Sequence, residues 1–136
     1  VLAGTSAGAH LIAMALSRRS VQSIDGVCLV SGIYDLAPVL RISVNTDIQL
    51  DESSARRNSP LHFLPRLHSP IVVAVGALES DAWRQQSAAM AKHCIDCGTD
   101  TRFVELPAAH HFSTGLAVPG STLNKLAIEL CLRHVS

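Results

Sequence analysis

The chain has 136 residues, 48% hydrophobic and 16% charged, and its 11 basic and 11 acidic side chains cancel at pH 7. That length suits one domain with a core of its own. The balance offers no basic face to nucleic acid or an anionic membrane, no apolar run spans a bilayer, and four cysteines are too few for a disulfide scaffold. A reducing cytoplasm is the expected setting.

Val1-Leu2-Ala3 reads as a strand already under way at the first residue, which points to the C-terminal part of a longer protein. Gly4-Thr5-Ser6-Ala7-Gly8 follows, and then the helix-like run Ala9-His10-Leu11-Ile12-Ala13-Met14-Ala15-Leu16. A strand that turns sharply into a helix through G-x-S-x-G exposes the serine at the turn. The flanking glycines are expected to relieve crowding of the backbone. Ser6 then sits where unpaired N–H groups and the helix dipole favour developing negative charge, with the Ala7 N–H as one oxyanion donor. The plainer alternative is a small-residue turn in which Ser6 merely caps the helix.

The helix is predicted over 7–18, ending on Arg18-Arg19. A buried strand is predicted over 26–30 and a loop over 31–36; 37–50 has no clear period and reads as an irregular excursion. Residues 51–57 read as a short helix, acidic at its start and basic at its end. The β-branched run 71–76 is a buried strand, 81–97 a helix closed by Gly98, 101–106 the last strand, and 123–134 a final amphipathic helix. Strands alternating with helices imply a parallel α/β sheet with helices on both faces.

A serine nucleophile needs a base, and the base an orienting acid, each placed at the carboxyl end of a strand. The loop after the last strand holds His110 and His111, and only one of them can face Ser6. The loop after 71–76 holds Glu79 and Asp81. Asp81 also fits as a first-turn helix charge, whereas Glu79 lies nearer the strand end and is favoured as the acid. Ser6, an acid and a histidine thus occur in the order nucleophile, acid, base. Tyr34, after the second strand, and Asn45, in the excursion, are candidate substrate contacts. Cys94-Ile95-Asp96-Cys97 is a C-x-x-C, but it stands at a helix end, where no dipole lowers a thiol pKa, and reads as two small hydrophobes. His10 and Trp83 read as packing residues near the site.

Gly4-Thr5-Ser6-Ala7-Gly8-Ala9-His10-Leu11, Ser31-Gly32-Ile33-Tyr34-Asp35-Leu36, Gly76-Ala77-Leu78-Glu79-Ser80 with Trp83 and Gln86-Ser87, and Leu106-Pro107 with His111-Phe112 together resemble the arylformamidases (kynurenine formamidases) and related esterases. These belong to the α/β-hydrolase superfamily, near the hormone-sensitive-lipase-like group. The resemblance covers nearly the whole chain and implies the C-terminal part of an α/β-hydrolase fold. Residues 1–136 are then a single partial domain, with earlier strands and a His-Gly-Gly type oxyanion motif upstream. It implies Ser6 as nucleophile, Glu79 as acid and His111, which precedes a Phe, as base. It further implies cleavage of an aryl formamide or a small carboxylic ester through an acyl-enzyme, without cofactor or metal. A small-molecule formamide or ester is the expected partner, with neither nucleic acid nor membrane. The alternative is a non-catalytic truncated fragment or interaction module that keeps the elbow for structural reasons.

Overall fold

The computed structural model describes residues 1–19 and 23–133. Four strands form one parallel sheet in the order β1 (Leu2–Thr5), β2 (Val27–Val30), β3 (Ile71–Gly76), β4 (Thr101–Leu106). Leu2 pairs with Val27, Val27 with Ile71 and Ile71 with Thr101. The strands therefore start level, and their carboxyl ends share one rim of the sheet.

Each step in the strand order goes the same way, so right-handed crossovers put all three connections on one face. There α1 (Ala7–Ser17) and α4 (Asp81–Asp96) contribute Ala9, Ala13, Leu16, Met90, Ala91 and Cys94 to a buried cluster with Val27, Leu29, Ile71 and Val73. Successive strand residues point to opposite faces. Cys28, Val30, Val72 and Ala74 thus face the other way, under Leu123, Leu126 and Leu130 of the last helix (Thr122–Leu132). Being covered on both faces is why β2 and β3 read as continuous apolar runs. β4 lies at an edge of the four strands and exposes Arg102, Phe103 and Glu105, which is why its sequence is mixed.

The predicted elements fall where the sequence puts them, to within a residue or two. The last helix is described to Leu132, and His134, its predicted end, lies outside the described residues. The excursion differs from its expected irregularity. Residues 37–50 hold a 3₁₀ turn at Ala37–Arg41 and the short helix α2 (Asn45–Ile48), whereas α3 (Glu52–Arg57) is the short helix expected at 51–57; a second 3₁₀ turn follows at Pro60–His62, and the last helix is α5. Pieces this short complete too few turns to display a 3.6-residue period. α3 forms through its cap: Asp51 Oδ1 accepts from the Ser54 N–H at 2.6 Å and Ser54 Oγ from the Asp51 N–H at 2.9 Å. No helix among the described residues is long and apolar enough to cross a membrane.

Candidate active site

Each strand hands one polar side chain to the shared rim: Ser6 from β1, Ser31 from β2, Glu79 from the loop after β3, and His111 from the loop after β4. Ser6 has φ 55° and ψ −119°. For a residue with a Cβ that conformation costs about 1–3 kcal/mol and persists only where the surroundings impose it. The surroundings here are hydrogen bonds on both sides, from the Ser6 N–H to Val30 O at 2.8 Å and from the His10 N–H to Ser6 O at 3.1 Å. Gly4 permits the turn, since a Cβ on it would lie 2.7 Å from the Gly8 carbonyl carbon. Gly8 departs from the expectation: a Cβ there would meet nothing within 4 Å, so crowding does not require it.

The Ser6 side chain makes no capping hydrogen bond to α1. Its Oγ lies 3.1 Å from His111 Nε2, and His111 Nδ1 lies 2.8 Å from Glu79 Oε2. The chemistry assigns the protons. A carboxylate only accepts, so Nδ1–H donates to Glu79, which leaves Nε2 as the acceptor for the Ser6 hydroxyl. Glu79 Oε1 accepts from the Gly76 N–H at 2.8 Å and from the Ser31 hydroxyl at 2.5 Å. Burial pushes the Glu79 carboxyl up, but the hydrogen bonds from Ser31, His111 and Gly76 outweigh it and hold the group below the usual carboxylate range. Trp83 packs on the His111 ring, with centroids 4.4 Å apart. His10 donates Nδ1–H to Ile33 O at 2.7 Å, tying the elbow helix to the loop after β2. As the first residue of α1, Ala7 has an N–H with no acceptor in the helix ladder, available to a ligand anion.

The rival candidates lie elsewhere. Asp81 is exposed in the first turn of α4 and pairs with Arg84 at 2.5 Å. The His110 ring turns back on its own loop, where Nδ1 accepts from the Phe112 N–H at 3.2 Å. Tyr34 is fully buried in the core, and that burial pushes its hydroxyl far above its ordinary pKa. Asn45 lines a cavity of about 1140 Å³ together with Asp35, Arg41, Arg56 and Phe63, away from Ser6. The cleft that Ser6 and His111 do line, about 460 Å³, is walled by Thr5, Phe112 and residues 114–118. In the C-x-x-C, Cys94 is buried and its thiol is pushed up to about 12 by that burial. Sequence reasoning missed Ser31 and the 114–118 wall. The available signal for Ser31 was a hydroxyl directly past the end of a strand; the wall follows no motif.

No protein-family model matches the chain. It is 41% identical over 122 residues to the kynurenine formamidase of Danio rerio and 40% identical over 123 residues to that of Salmo salar. Each match covers 82% of this chain and 42% of the relative, so the chain spans about two-fifths of the length of these curated relatives. Among solved structures, a candidate thioesterase of Silicibacter sp. TM1040 superposes with a TM-score of 0.77 at 32% identity, over 90% of this chain and 48% of that one. Esterase 2 of Thermogutta terrifontis, at 16% identity, shares the fold with a TM-score of 0.66, over 95% of this chain and 52% of that one. The parallel sheet, its flanking helices and these neighbours define an α/β-hydrolase fold. Within that class the chain resembles the kynurenine formamidases.

Proposed function

We propose that this chain carries the catalytic residues of a serine hydrolase that cleaves an aryl formamide of the N-formylkynurenine kind. The observation behind this reading is the unbroken chain of contacts from Ser6 Oγ to His111 Nε2 at 3.1 Å and from His111 Nδ1 to Glu79 Oε2 at 2.8 Å, joined to the 41% identity with a kynurenine formamidase.

His111 takes the Ser6 proton as Oγ attacks the formyl carbon, and Glu79 stabilises the imidazolium that forms. The oxyanion develops beside the Ala7 N–H. His111 then protonates the departing amine, leaving a formyl ester on Ser6. Water deprotonated by the same His111 cleaves that ester, releasing formate and restoring the serine. The 32% identity to a candidate thioesterase favours a second reading on the same residues, with a small ester or thioester as substrate.

A fluorophosphonate should label Ser6 and spare a Ser6→Ala variant, as read by peptide mass spectrometry. Folded protein that stays unlabelled would sink the reading. Turnover of N-formylkynurenine against p-nitrophenyl acetate then decides between the two substrates.

A further inference from the structure

Three of the four residues that the strands bring to the rim form the proton chain; the fourth, Ser31, has no part in its steps. We propose that Ser31 is the positioning residue for the acid: its hydroxyl fixes the roll of the Glu79 carboxylate so that Oε2 is the oxygen presented to His111. This rests on the reading of Ser6, His111 and Glu79 given above.

Ser31 is fully buried and sits at φ 49°, left-handed backbone that glycine adopts without strain and serine does not. A serine there is a conflict of backbone preference that its side chain must offset. Its backbone is fixed by a hydrogen bond from the Ser31 N–H to Ala74 O at 2.8 Å. From that anchor the hydroxyl donates to Glu79 Oε1 at 2.5 Å, and the Gly76 N–H donates to the same oxygen at 2.8 Å.

The terminal torsion of a glutamate is broad and nearly two-fold, so reach alone does not choose which oxygen faces the imidazole. Two donors converging on Oε1 do choose. Glu79 is closed off from water, with its side chain only 1% exposed, so its oxygens depend on donors that the fold supplies. Among the groups that hold the carboxyl below its ordinary range, Ser31 comes ahead of His111 and Gly76.

The loop that carries Ser31 is clamped from α4. Gln86 Oε1 accepts from the Tyr34 and Asp35 N–H groups at 2.9 Å each, and its Nε2 donates to Asp35 O at 2.8 Å.

The test compares Ser31→Ala with Ser31→Gly in the full chain, read by steady-state kinetics and by the downfield proton NMR signal of His111 Nδ1–H. Both variants remove the hydroxyl, and only glycine also relieves the backbone. Both should lose about tenfold in kcat with KM changed less than twofold, the scale expected when a charged group loses one buried hydrogen bond. The Nδ1–H signal should move or broaden in both. Wild-type kcat in Ser31→Gly, a fall in kcat with the signal unmoved, a rise in KM alone, or failure of both variants to fold would overturn the proposal. Should only Ser31→Ala fail to fold, Ser31→Gly carries the test. A wild type that neither labels at Ser6 nor turns over substrate fails the earlier reading instead, and the two results are distinct.

Discussion

The rim and the excursion are both built from loops, yet their hydrogen bonds differ in reach. At the rim, Ser31 bonds to a residue 48 positions away and His111 to one 105 positions away. In the excursion and the short helix and turn that follow it, Asn45 bonds to a residue 5 positions on, Asp51 to one 3 on, and Ser59 to one 4 back, with Ser59 Oγ also taking the Leu36 N–H 23 positions away as a docking contact. The rim is therefore assembled by the sheet, which brings distant strand ends to one level. The excursion assembles itself, turn by turn, and then docks. A substitution at the rim should disturb residues far off in sequence, whereas one in the excursion should stay local.

The largest contrast expected is between two carboxylates two residues apart. Glu79→Ala removes the acceptor for His111 Nδ1–H and leaves the imidazole without its fixed tautomer. It should lower kcat/KM for the substrate of Ser6 roughly 1,000-fold or more. Asp81→Ala deletes an exposed pair with Arg84, worth under about 1 kcal/mol, and should leave kcat/KM within about twofold. Equal losses in the two variants would mean that the acid is not set by its place past β3.

The same difference in reach explains what could be read from sequence. β2 and β3 are apolar runs because both faces are covered, and such runs need no partner sequence to identify them. The elbow, an acid past β3 and a histidine past β4 follow from motif spacing and strand ends; the choice of His111 over His110 comes from the resemblance to the arylformamidases. Tyr34 shows where that reasoning stops. Its place after β2 suggested a site contact, but its ring turns into the core with Met90 and Cys94, a choice made by three-dimensional packing. Ser31 was hidden for the opposite reason: its partner, Glu79, is adjacent only once β2 and β3 are paired in register. The cleft wall at 114–118 is formed by a loop with no period to read.

A smaller effect, on stability, separates the two glycines of the elbow. An alanine methyl at position 4 would press into the Gly8 backbone at 2.7 Å and into Ile12 Cδ1 at 2.8 Å. Backbone cannot swing aside as a side chain can, so Gly4→Ala should cost about 1–3 kcal/mol or more and lower the melting temperature. At Gly8 the methyl enters open space within the first turn of α1, and Gly8→Ala should hold or raise stability by up to about 1 kcal/mol. Comparable losses from both substitutions would show that the elbow is crowded on both sides of Ser6.

The smallest effect belongs to the excursion. Asn45 accepts from the Leu50 N–H at 2.8 Å and donates to Leu50 O at 3.1 Å, closing the loop between α2 and α3. Both bonds are partly exposed, so Asn45→Ala should cost only about 1 kcal/mol. If the excursion is locally assembled, the Leu50 amide should exchange faster with solvent while the amides of β2 and β3 keep their protection. KM and kcat should stay at wild-type values, since Asn45 lines the larger cavity and not the cleft beside Ser6. The informative failure is a fall in kcat. One route from Asn45 toward the rim runs through the Asp35 segment, which Gln86 and Ser59 hold in place. A lower kcat in Asn45→Ala would show that this clamp transmits strain to Ser31 rather than isolating it.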